Sequence, residues 1–449
     1  MKTHIIILAA GLGKRMHTNY PKVMQLIGGM TMIERVLHTA KKITNKITVI
    51  SGYKGDILEE HLSKTFSQLT YCRQEEQLGT GHAVKMATNE IKQDEKVLIL
   101  YGDVPLLNQS TLNSVLESNQ ACLLTTDLEN PTGYGRIIQN QEGFVEAIVE
   151  EKDANQNQKT IKTIFTGVVM VEGALLLDGL KHINNNNAAK EYYLTDLVAV
   201  LHNKGVKISH IKTDYKHVQG ANNKNELHKL EQVYKSMKSK ELLDIGITVT
   251  DINRVDLRGS IVAGKDCYID VNVILEGVVE LGDGVKILSN CYLKDVSIAD
   301  NTTIESFSHI VSTKIAPNCS VGPYARLREG SVLEEGAKVG NFVETKKTTI
   351  GKGSKANHLA YLGDAEIGEG ANIGAGTITC NYDGEKKHKT IIGNNSFIGT
   401  NSSLVAPLTI GNNSYVGAGS VITKDVEDNT LAVARGKQLN KPGWSKKRK

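Results

Sequence analysis

An aliphatic residue returns every six positions through much of the back half of this chain. Ile298, Ile304 and Ile310 keep the step, as do Val321, Leu327, Leu333 and Val339. Ile392, Ile398, Leu404, Ile410, Val416 and Ile422 keep it without a miss. A helix repeats every ~3.6 residues and a half-buried strand every ~2, so neither carries this pattern. A coil of short parallel strands does: each hexapeptide makes one flat face, its aliphatic side chain points inward, and the next residue turns the corner. Glycine follows many of the aliphatics, at Gly322, Gly340, Gly351, Gly368, Gly374, Gly393, Gly399, Gly411 and Gly417. A side chain at those positions would crowd the turn. The period predicts a parallel β-helix after residue 248, its interior buried by stacking and its outer faces free for other work. Handedness does not follow from the period.

The first 225 residues keep a different rhythm. Ile5-Ile6-Ile7-Leu8 is apolar without alternation, the mark of a parallel strand buried on both faces. Ile33, Val36, Leu37 and Ala40 follow at helical spacing, and strand character returns at Ile47 to Ile50 and at Val97-Leu98-Ile99-Leu100. Such alternation implies an α/β fold, a doubly wound parallel sheet with helices on both faces. Sheets of this kind bind ligands at the carboxyl ends of their strands. From Asn225 to about Leu243, the residues Leu227, Leu230, Val233, Tyr234, Met237 and Glu241 form one helical stripe. That helix either links the halves or closes the first. The expected division is 1–225, a linking helix over 226–248, and 249–449.

Several classes are excluded. At 449 residues the chain is too long for one ordinary domain. No apolar run approaches the ~18 residues that span a bilayer. Ile5 to Ala10 is also too short for the core of a secretion signal, so a cytoplasmic protein without membrane insertion is expected. Cys72, Cys122, Cys267, Cys291, Cys319 and Cys380 are scattered and form no C-x-x-C pair, which argues for buried thiols over disulfides or zinc. The net charge of +4 is mild, and much of it lies in Lys446-Lys447-Arg448-Lys449. That run reads as a solvated terminus, not a nucleic-acid patch.

Glycine loops sit at the predicted strand ends. Leu8-Ala9-Ala10-Gly11-Leu12-Gly13-Lys14-Arg15-Met16 follows the first strand, and its glycines let backbone N–H groups approach phosphate oxygens. Arg15 adds a fork of donors, and Lys22, after Pro21, a mobile charge. A dinucleotide fingerprint would need glycine where Met16 stands, and no P-loop motif occurs. The remaining alternative for this loop is a plain strand-to-helix turn. Gln77-Leu78-Gly79-Thr80-Gly81-His82-Ala83 forms a second loop before a helix, suited with Gln74 to gripping a base edge. Tyr101-Gly102-Asp103-Val104-Pro105 puts a carboxylate directly after a buried strand, where it suits either a magnesium ion or a helix cap.

Together these residues resemble sugar-nucleotide pyrophosphorylases. With the six-residue repeat behind them, the chain from about residue 3 to about 444 resembles the bacterial bifunctional N-acetylglucosamine-1-phosphate uridyltransferases/glucosamine-1-phosphate acetyltransferases. The resemblance implies a Rossmann-like nucleotidyltransferase domain followed by a left-handed β-helix. It further implies that Leu8, Ala9, Ala10, Gly11, Arg15, Lys22, Gln74, Gly79 and Thr80 bind UTP, and that Tyr101 and Gly102 line the same site. Asp103 and Asn222 would carry Mg²⁺, and Gly135, Glu150 and Phe165 would face the sugar. The sugar phosphate would attack the α-phosphorus directly and expel pyrophosphate, with Arg15 and Lys22 neutralising charge. Two departures stand out: Lys14 replaces a usual Thr or Ser, and Phe165 replaces a frequent Asn before Thr166-Gly167, which bears on sugar specificity.

Between Lys346 and Lys389 the hexapeptides are decorated with polar residues. A lone histidine such as His358 is more often structural than catalytic. At ~18 residues per coil, however, His358 and Cys380 project from neighbouring turns. An acceptor amine must lose a proton to attack a thioester, and imidazole, titrating near ~6.5, suits that task. The resemblance implies that His358 is this general base. It implies that Arg328, Lys346, Tyr361, Asn372 and Lys387 bind the amino-sugar phosphate. Ala375, Asn381, Tyr382, Thr400, Ala418 and Arg435 would line an acetyl-CoA groove. Thr400 stands where the family often has Ser, and Glu329 where it often has Pro. Direct transfer needs no cysteine nucleophile, so Cys380 is expected to be packed.

The small molecules expected are UTP, glucosamine-1-phosphate, N-acetylglucosamine-1-phosphate and acetyl-CoA, and the resemblance implies a homotrimer with active sites between coils. One rival is a nucleotidyltransferase of other sugar specificity whose β-helix is regulatory, which leaves His358, Tyr361 and the Asn381-Tyr382 loop unexplained. Another is a non-catalytic assembly protein on the same folds, which has no need of Arg15, Lys22 and Asp103 together.

Overall fold

The computed structural model describes residues 1–444, so the basic run Lys446–Lys449 lies outside the described residues. The chain divides into two compact units, Met1–Tyr234 and Lys235–Lys449. The division falls inside one 21-residue helix, Lys224–Asp244. Its buried positions are Leu230, Tyr234, Ser239 and Leu242, not the whole predicted stripe; Glu241 is exposed. Ser239 is tolerated among them because its hydroxyl donates to the Ile252 carbonyl at 2.9 Å.

The first unit is built on a sheet whose main path runs Ile208–Lys212, Ala121–Asp127, Thr163–Glu172, Glu95–Tyr101, Lys2–Leu8, Ile47–Ser51, Thr70–Arg73. The expected parallel sheet needs one correction: Thr163–Glu172 runs antiparallel to both of its main neighbours. The apolar run of the first strand is divided between two cores. Ile5 and Ile7 pack under the helices carrying Leu37, Leu58 and Leu112, while Ile6 faces those carrying Val84, Leu176 and Leu197. A strand so divided has no face left for polar side chains, which is why the run shows no alternation. The helix Met32–Lys41 begins with a capping box between Thr31 and Glu34. Among the described residues no helix is long and apolar enough to cross a membrane.

The second unit is a left-handed parallel β-helix. One face is an 11-stranded ladder. The other two faces join into a 16-stranded ladder, because Val255–Ala263, Val273–Leu281 and Tyr292–Ile298 run around a corner without a break. The aliphatics of the period stack in a single core that includes Ile304, Val321, Val339, Ile373, Ile398 and Val416. The coil length varies. Ile304 pairs with Val321 and Val321 with Val339, but Ile373 pairs with Ile398, a longer step that holds the loop after Cys380. A Cβ on Gly340 would lie 2.0 Å from the Asn357 carbonyl oxygen of the next coil. That glycine is required by the approach of two coils. The left-handed corner angle falls two residues later, on Phe342 at φ 58°. All six cysteines are free; Cys122, Cys267, Cys291 and Cys319 are buried, whereas Cys72 and Cys380 are half-buried.

Candidate functional site

The first unit opens a cleft of about 520 Å³ at the carboxyl ends of its central strands. Leu8, Ala9, Ala10, Gly11, Lys22, Gln74, Gly79, Thr80, Tyr101, Asp103, Gly135, Glu150, Phe165 and Asn222 all line it. Gly102 does not; it packs beneath, where a Cβ would stand 3.2 Å from the Leu8 carbonyl. Arg15 sits in the short turn Lys14–Met16, exposed and outside the lining. Gly11 faces open space, since a Cβ there meets nothing within 4 Å, so a ligand can approach its backbone.

One cation organises the mouth of the cleft. Lys22 Nζ donates to Asp103 Oδ2 and, at 3.0 Å, to Asn222 Oδ1. Gly13 allows this placement: at φ 58° its missing Cβ would lie 2.7 Å from the Lys22 Cβ. The two oxygens expected to hold magnesium thus converge on a position where a positive charge already rests. Hard oxygen donors at one point suit Mg²⁺, which keeps water or phosphate in its remaining positions. Among the described residues no three His, Cys, Asp or Glu side chains could share a metal, so most ligands would have to come from phosphate or water. Asp103 is not a helix cap; Asn108 caps the next helix by accepting from the Thr111 N–H at 2.8 Å.

Glu226 escaped the sequence reading. It accepts from the Asn222 backbone N–H at 2.8 Å and from its Nδ2 at 3.2 Å, which turns Oδ1 toward Lys22. The carboxylate four residues after Asn222, at the helix start, was the available signal. Deeper in the cleft, Gln74 is buried and donates to the Gly79 carbonyl at 3.0 Å, fixing the second glycine loop. Tyr134, also missed, holds Tyr215 through a 2.9 Å hydroxyl contact. Burial pushes the Glu150 carboxyl above the usual range; the Thr195 hydroxyl, donating at 3.0 Å, opposes this, and Asp196, Asp153 and Glu191 add to it. Phe165 is buried, and its backbone N–H donates to the Gly135 carbonyl at 2.9 Å. An aromatic ring, the departure from Asn noted in the sequence, therefore lines the cleft together with Gly135 and Glu150.

On the coil, His358 is exposed at the end of the strand Lys355–His358. It lies on the 11-stranded ladder, whereas Cys380 ends a strand of the 16-stranded one; neighbouring turns hold them, but on different faces. Cys380 is only half-buried, short of the packing expected. The register Lys355 to Asn372 sets Ala375 one coil beyond His358, and the register Phe397 to Tyr415 continues the column through Thr400 to Ala418. Arg435 closes it by donating to the Ala418 carbonyl at 2.7 Å. Small residues below an open imidazole leave a shallow edge along which an extended chain can lie.

The remaining predicted residues cluster across the adjoining corner. Arg328 donates to Glu344 at 2.8 Å. Glu344 pairs in register with Tyr361, and Lys346 with Gly363. Asp364 gathers two others, accepting from Asn381 Nδ2 at 2.5 Å and lying 4.0 Å from Lys387. Asn372 stays on the histidine's ladder. Tyr382 is exposed on the loop, with its hydroxyl donating to the Gly384 carbonyl. Glu344 and Asp364 are not among the residues the sequence singles out, since each acts by holding another side chain.

Both units match known families. Residues 5–136 match the MobA-like NTP transferase domain, residues 257–350 the GMPPB C-terminal domain, and residues 389–424 the bacterial transferase hexapeptide of six repeats. The chain is 49% identical over 451 residues to the bifunctional protein GlmU of Pseudoalteromonas atlantica, covering 99% of each. It is 49% identical to that of Idiomarina loihiensis, over 99% of this chain and 98% of the relative. The Acinetobacter baumannii protein is 48% identical over 100% of this chain and 99% of its own. Identity of this degree along the whole length of both units places the chain in the family of the bifunctional protein GlmU.

Proposed function

We propose that the cleft of the first unit transfers a uridylyl group and the edge of the coil an acetyl group, and that the named residues divide the work as follows. The chain is a uridyltransferase and acetyltransferase of UDP-N-acetylglucosamine synthesis. On the coil, the amine of glucosamine-1-phosphate attacks the thioester carbonyl of acetyl-CoA. His358 Nε2 takes the amine proton, the C–S bond breaks, and the imidazolium returns that proton to the departing sulfur, so coenzyme A leaves as the thiol. Arg328, Lys346, Tyr361, Asn372 and Lys387 hold the sugar phosphate, while Ala375, Asn381, Tyr382, Thr400, Ala418 and Arg435 line the coenzyme.

In the cleft, a phosphate oxygen of N-acetylglucosamine-1-phosphate attacks the α-phosphorus of UTP, and pyrophosphate leaves from the opposite side. Backbone groups of Leu8 to Gly11 and the charges of Lys22 and Arg15 face the triphosphate. Gln74, Gly79 and Thr80 hold the base, and Gly135, Glu150 and Phe165 meet the sugar. Asp103 and Asn222 would hold Mg²⁺, which when bound supplies positive charge to the phosphate oxygens. We assign uridylyl transfer to 1–225, acetyl transfer to 249–449 and the linking role to 226–248. The protein is further proposed to be a cytoplasmic homotrimer, a state that sedimentation at micromolar concentration tests.

The observation that carries this reading is the exposed His358 standing at the head of the Ala375–Thr400–Ala418 column, in a chain that also has a glycine-lined cleft of about 520 Å³. A merely regulatory coil has no use for that column. Supplying glucosamine-1-phosphate, acetyl-CoA, UTP and Mg²⁺ while following free thiol and pyrophosphate tests it. His358→Ala stops thiol release and leaves uridylyl transfer to supplied N-acetylglucosamine-1-phosphate intact; Asp103→Ala does the reverse. Loss of both activities from either substitution, in a folded protein, overturns the two-site division.

A further inference from the structure

The geometry points to Asn341 as the residue that sets the tautomer of His358 and so makes Nε2 the basic nitrogen; this rests on the reading of His358 as the general base. Asn341 ends the strand Lys338–Asn341, one coil before the histidine, and the two residues are paired in register. His358 Nδ1 lies 2.7 Å from Asn341 Oδ1, and an amide oxygen only accepts, so the imidazole must donate from Nδ1. Its proton sits there and the lone pair is left on Nε2.

The same asparagine fixes the backbone that carries the ring. Its carbonyl accepts the Leu359 N–H at 3.0 Å, at the corner where Leu359 takes the left-handed angle φ 49°. Side chain and main chain of one residue thus hold His358 from the coil above. Continuing the register Lys355 to Asn372 sets Ala375 opposite His358 on the coil below, and a methyl group offers the ring no hydrogen bond. With Nδ1 engaged by Asn341, Nε2 is the ring nitrogen left for a substrate amine.

The choice of amide over carboxylate has a consequence for proton transfer. An aspartate at 341 would also accept from Nδ1, but its charge would favour the imidazolium and block the base over a wider pH range. Other charges on the three paired strands are distant in register: Lys338 and Lys355 stand three residues before Asn341 and His358, and Asn372–Ile373 carries none. Among the described residues His358 makes no ion pair. The contact from Asn341 reaches the ring through an uncharged acceptor.

The test compares Asn341→Ser, whose hydroxyl is too short to reach, with Asn341→Asp. Thiol release is measured against pH, and ¹⁵N shifts of the His358 ring are recorded in the full-length protein. Losing one hydrogen bond to a ring that becomes charged in the reaction costs about 10- to 100-fold in rate. Asn341→Ser is expected to lower kcat of acetyl transfer by that factor, with KM for both substrates within about twofold. Its ring is expected to lose the Nδ1–H signature. Asn341→Asp keeps that signature but moves the acid limb of the profile up by about one pH unit. Uridylyl transfer and the unfolding midpoint serve as controls for folding. An Asn341→Ser enzyme with wild-type kcat, or with the Nδ1–H tautomer retained, overturns the inference. If His358→Ala itself still acetylates, the reading of the general base fails instead, and the two failures are told apart.

Discussion

Lys22 Nζ and Asn222 Oδ1 lie 3.0 Å apart although 200 residues separate them, and Asp103 completes the contact from a third segment. The lysine is mostly buried, with 15% of its side chain exposed. In the resting cleft its ammonium balances the two oxygens that would otherwise face each other without a cation.

Replacing that ammonium separates two of its roles. Lys22→Met removes a charge facing the triphosphate, and losses of this type cost about 10²- to 10³-fold in rate. Uridylyl transfer is expected to fall by that order. The same variant frees Asp103 and Asn222, so titration calorimetry with Mg²⁺ alone should show tighter binding than in the parent. Weaker Mg²⁺ binding in Lys22→Met would mean that the lysine supports the oxygens and does not compete for them.

Glu150 makes a trade between stability and binding. Burial raises its carboxyl above the ordinary value of 4.5, so the folded state holds its proton more tightly than the unfolded one. Stability from this group is full below pH about 4.5 and is lost as the pH climbs through the raised value. Glu150→Gln should therefore melt higher than the parent at pH 7.5, with the gap closing toward pH 4.5. If it also loses a charged contact to the sugar, KM for N-acetylglucosamine-1-phosphate rises about 10- to 100-fold.

At the opposite end of the sheet the sign reverses. His4 and Glu95 are buried and joined at 3.1 Å, while Thr48 takes the other ring nitrogen at 2.8 Å. Burial alone would raise Glu95, but Lys46, the Lys92 N–H and His4 outweigh it and bring its carboxyl below the usual range. Burial, seconded by Lys46, lowers His4. Both groups stabilise the fold above their unfolded values, about 4.5 and 6.5, and lose that contribution as the pH falls through the lower folded ones. Glu95→Ala leaves the buried His4 ring nitrogen and the Lys92 N–H without their acceptor, which costs about 1–3 kcal/mol. Thermal unfolding at pH 7.5 should show that loss in the first unit, shrinking as the pH drops toward 4.

The fold was legible where packing repeats itself. Each inward aliphatic of the coil meets copies of itself above and below, so the sequence must restate the demand every six residues. The direction of Thr163–Glu172 was not legible, because a strand buried on both faces shows the same apolar run whichever way it points. Residues lining the cleft were readable as glycines and charges near strand ends, while Glu226 and Tyr134 act through other side chains and leave no pattern of their own. Asn341 was hidden by register. A uniform step of ~18 would set His358 against Gly340; the actual step sets it against Asn341. Only the corners, with residues such as Phe342 and Leu359 in left-handed geometry, decide between the two.

That register gives the last prediction. At Gly340 a Cβ would lie 2.0 Å from the Asn357 carbonyl oxygen and 2.7 Å from its carbon. Both are backbone atoms of a hydrogen-bonded ladder and cannot move aside as a side-chain tip would. Gly340→Ala must therefore push the strand Lys338–Asn341 away from Lys355–His358, at an overpacking cost of about 1–3 kcal/mol to the second unit. The displacement acts directly on the Asn341–His358 contact, so acetyl transfer should fall at least about tenfold even below the melting point. Uridylyl transfer draws on another core and should be unchanged. A suitable control is Gly143→Ala, at a surface turn where nothing lies within 4 Å of the new Cβ. With its φ of 85° it pays a local strain of about 1–3 kcal/mol but touches neither site. If the two variants lost the same stability yet only Gly340→Ala lost thiol release, the spacing between coils would be what the acetyl site depends on; equal acetyl transfer in both would show that the ladder absorbs the extra methyl.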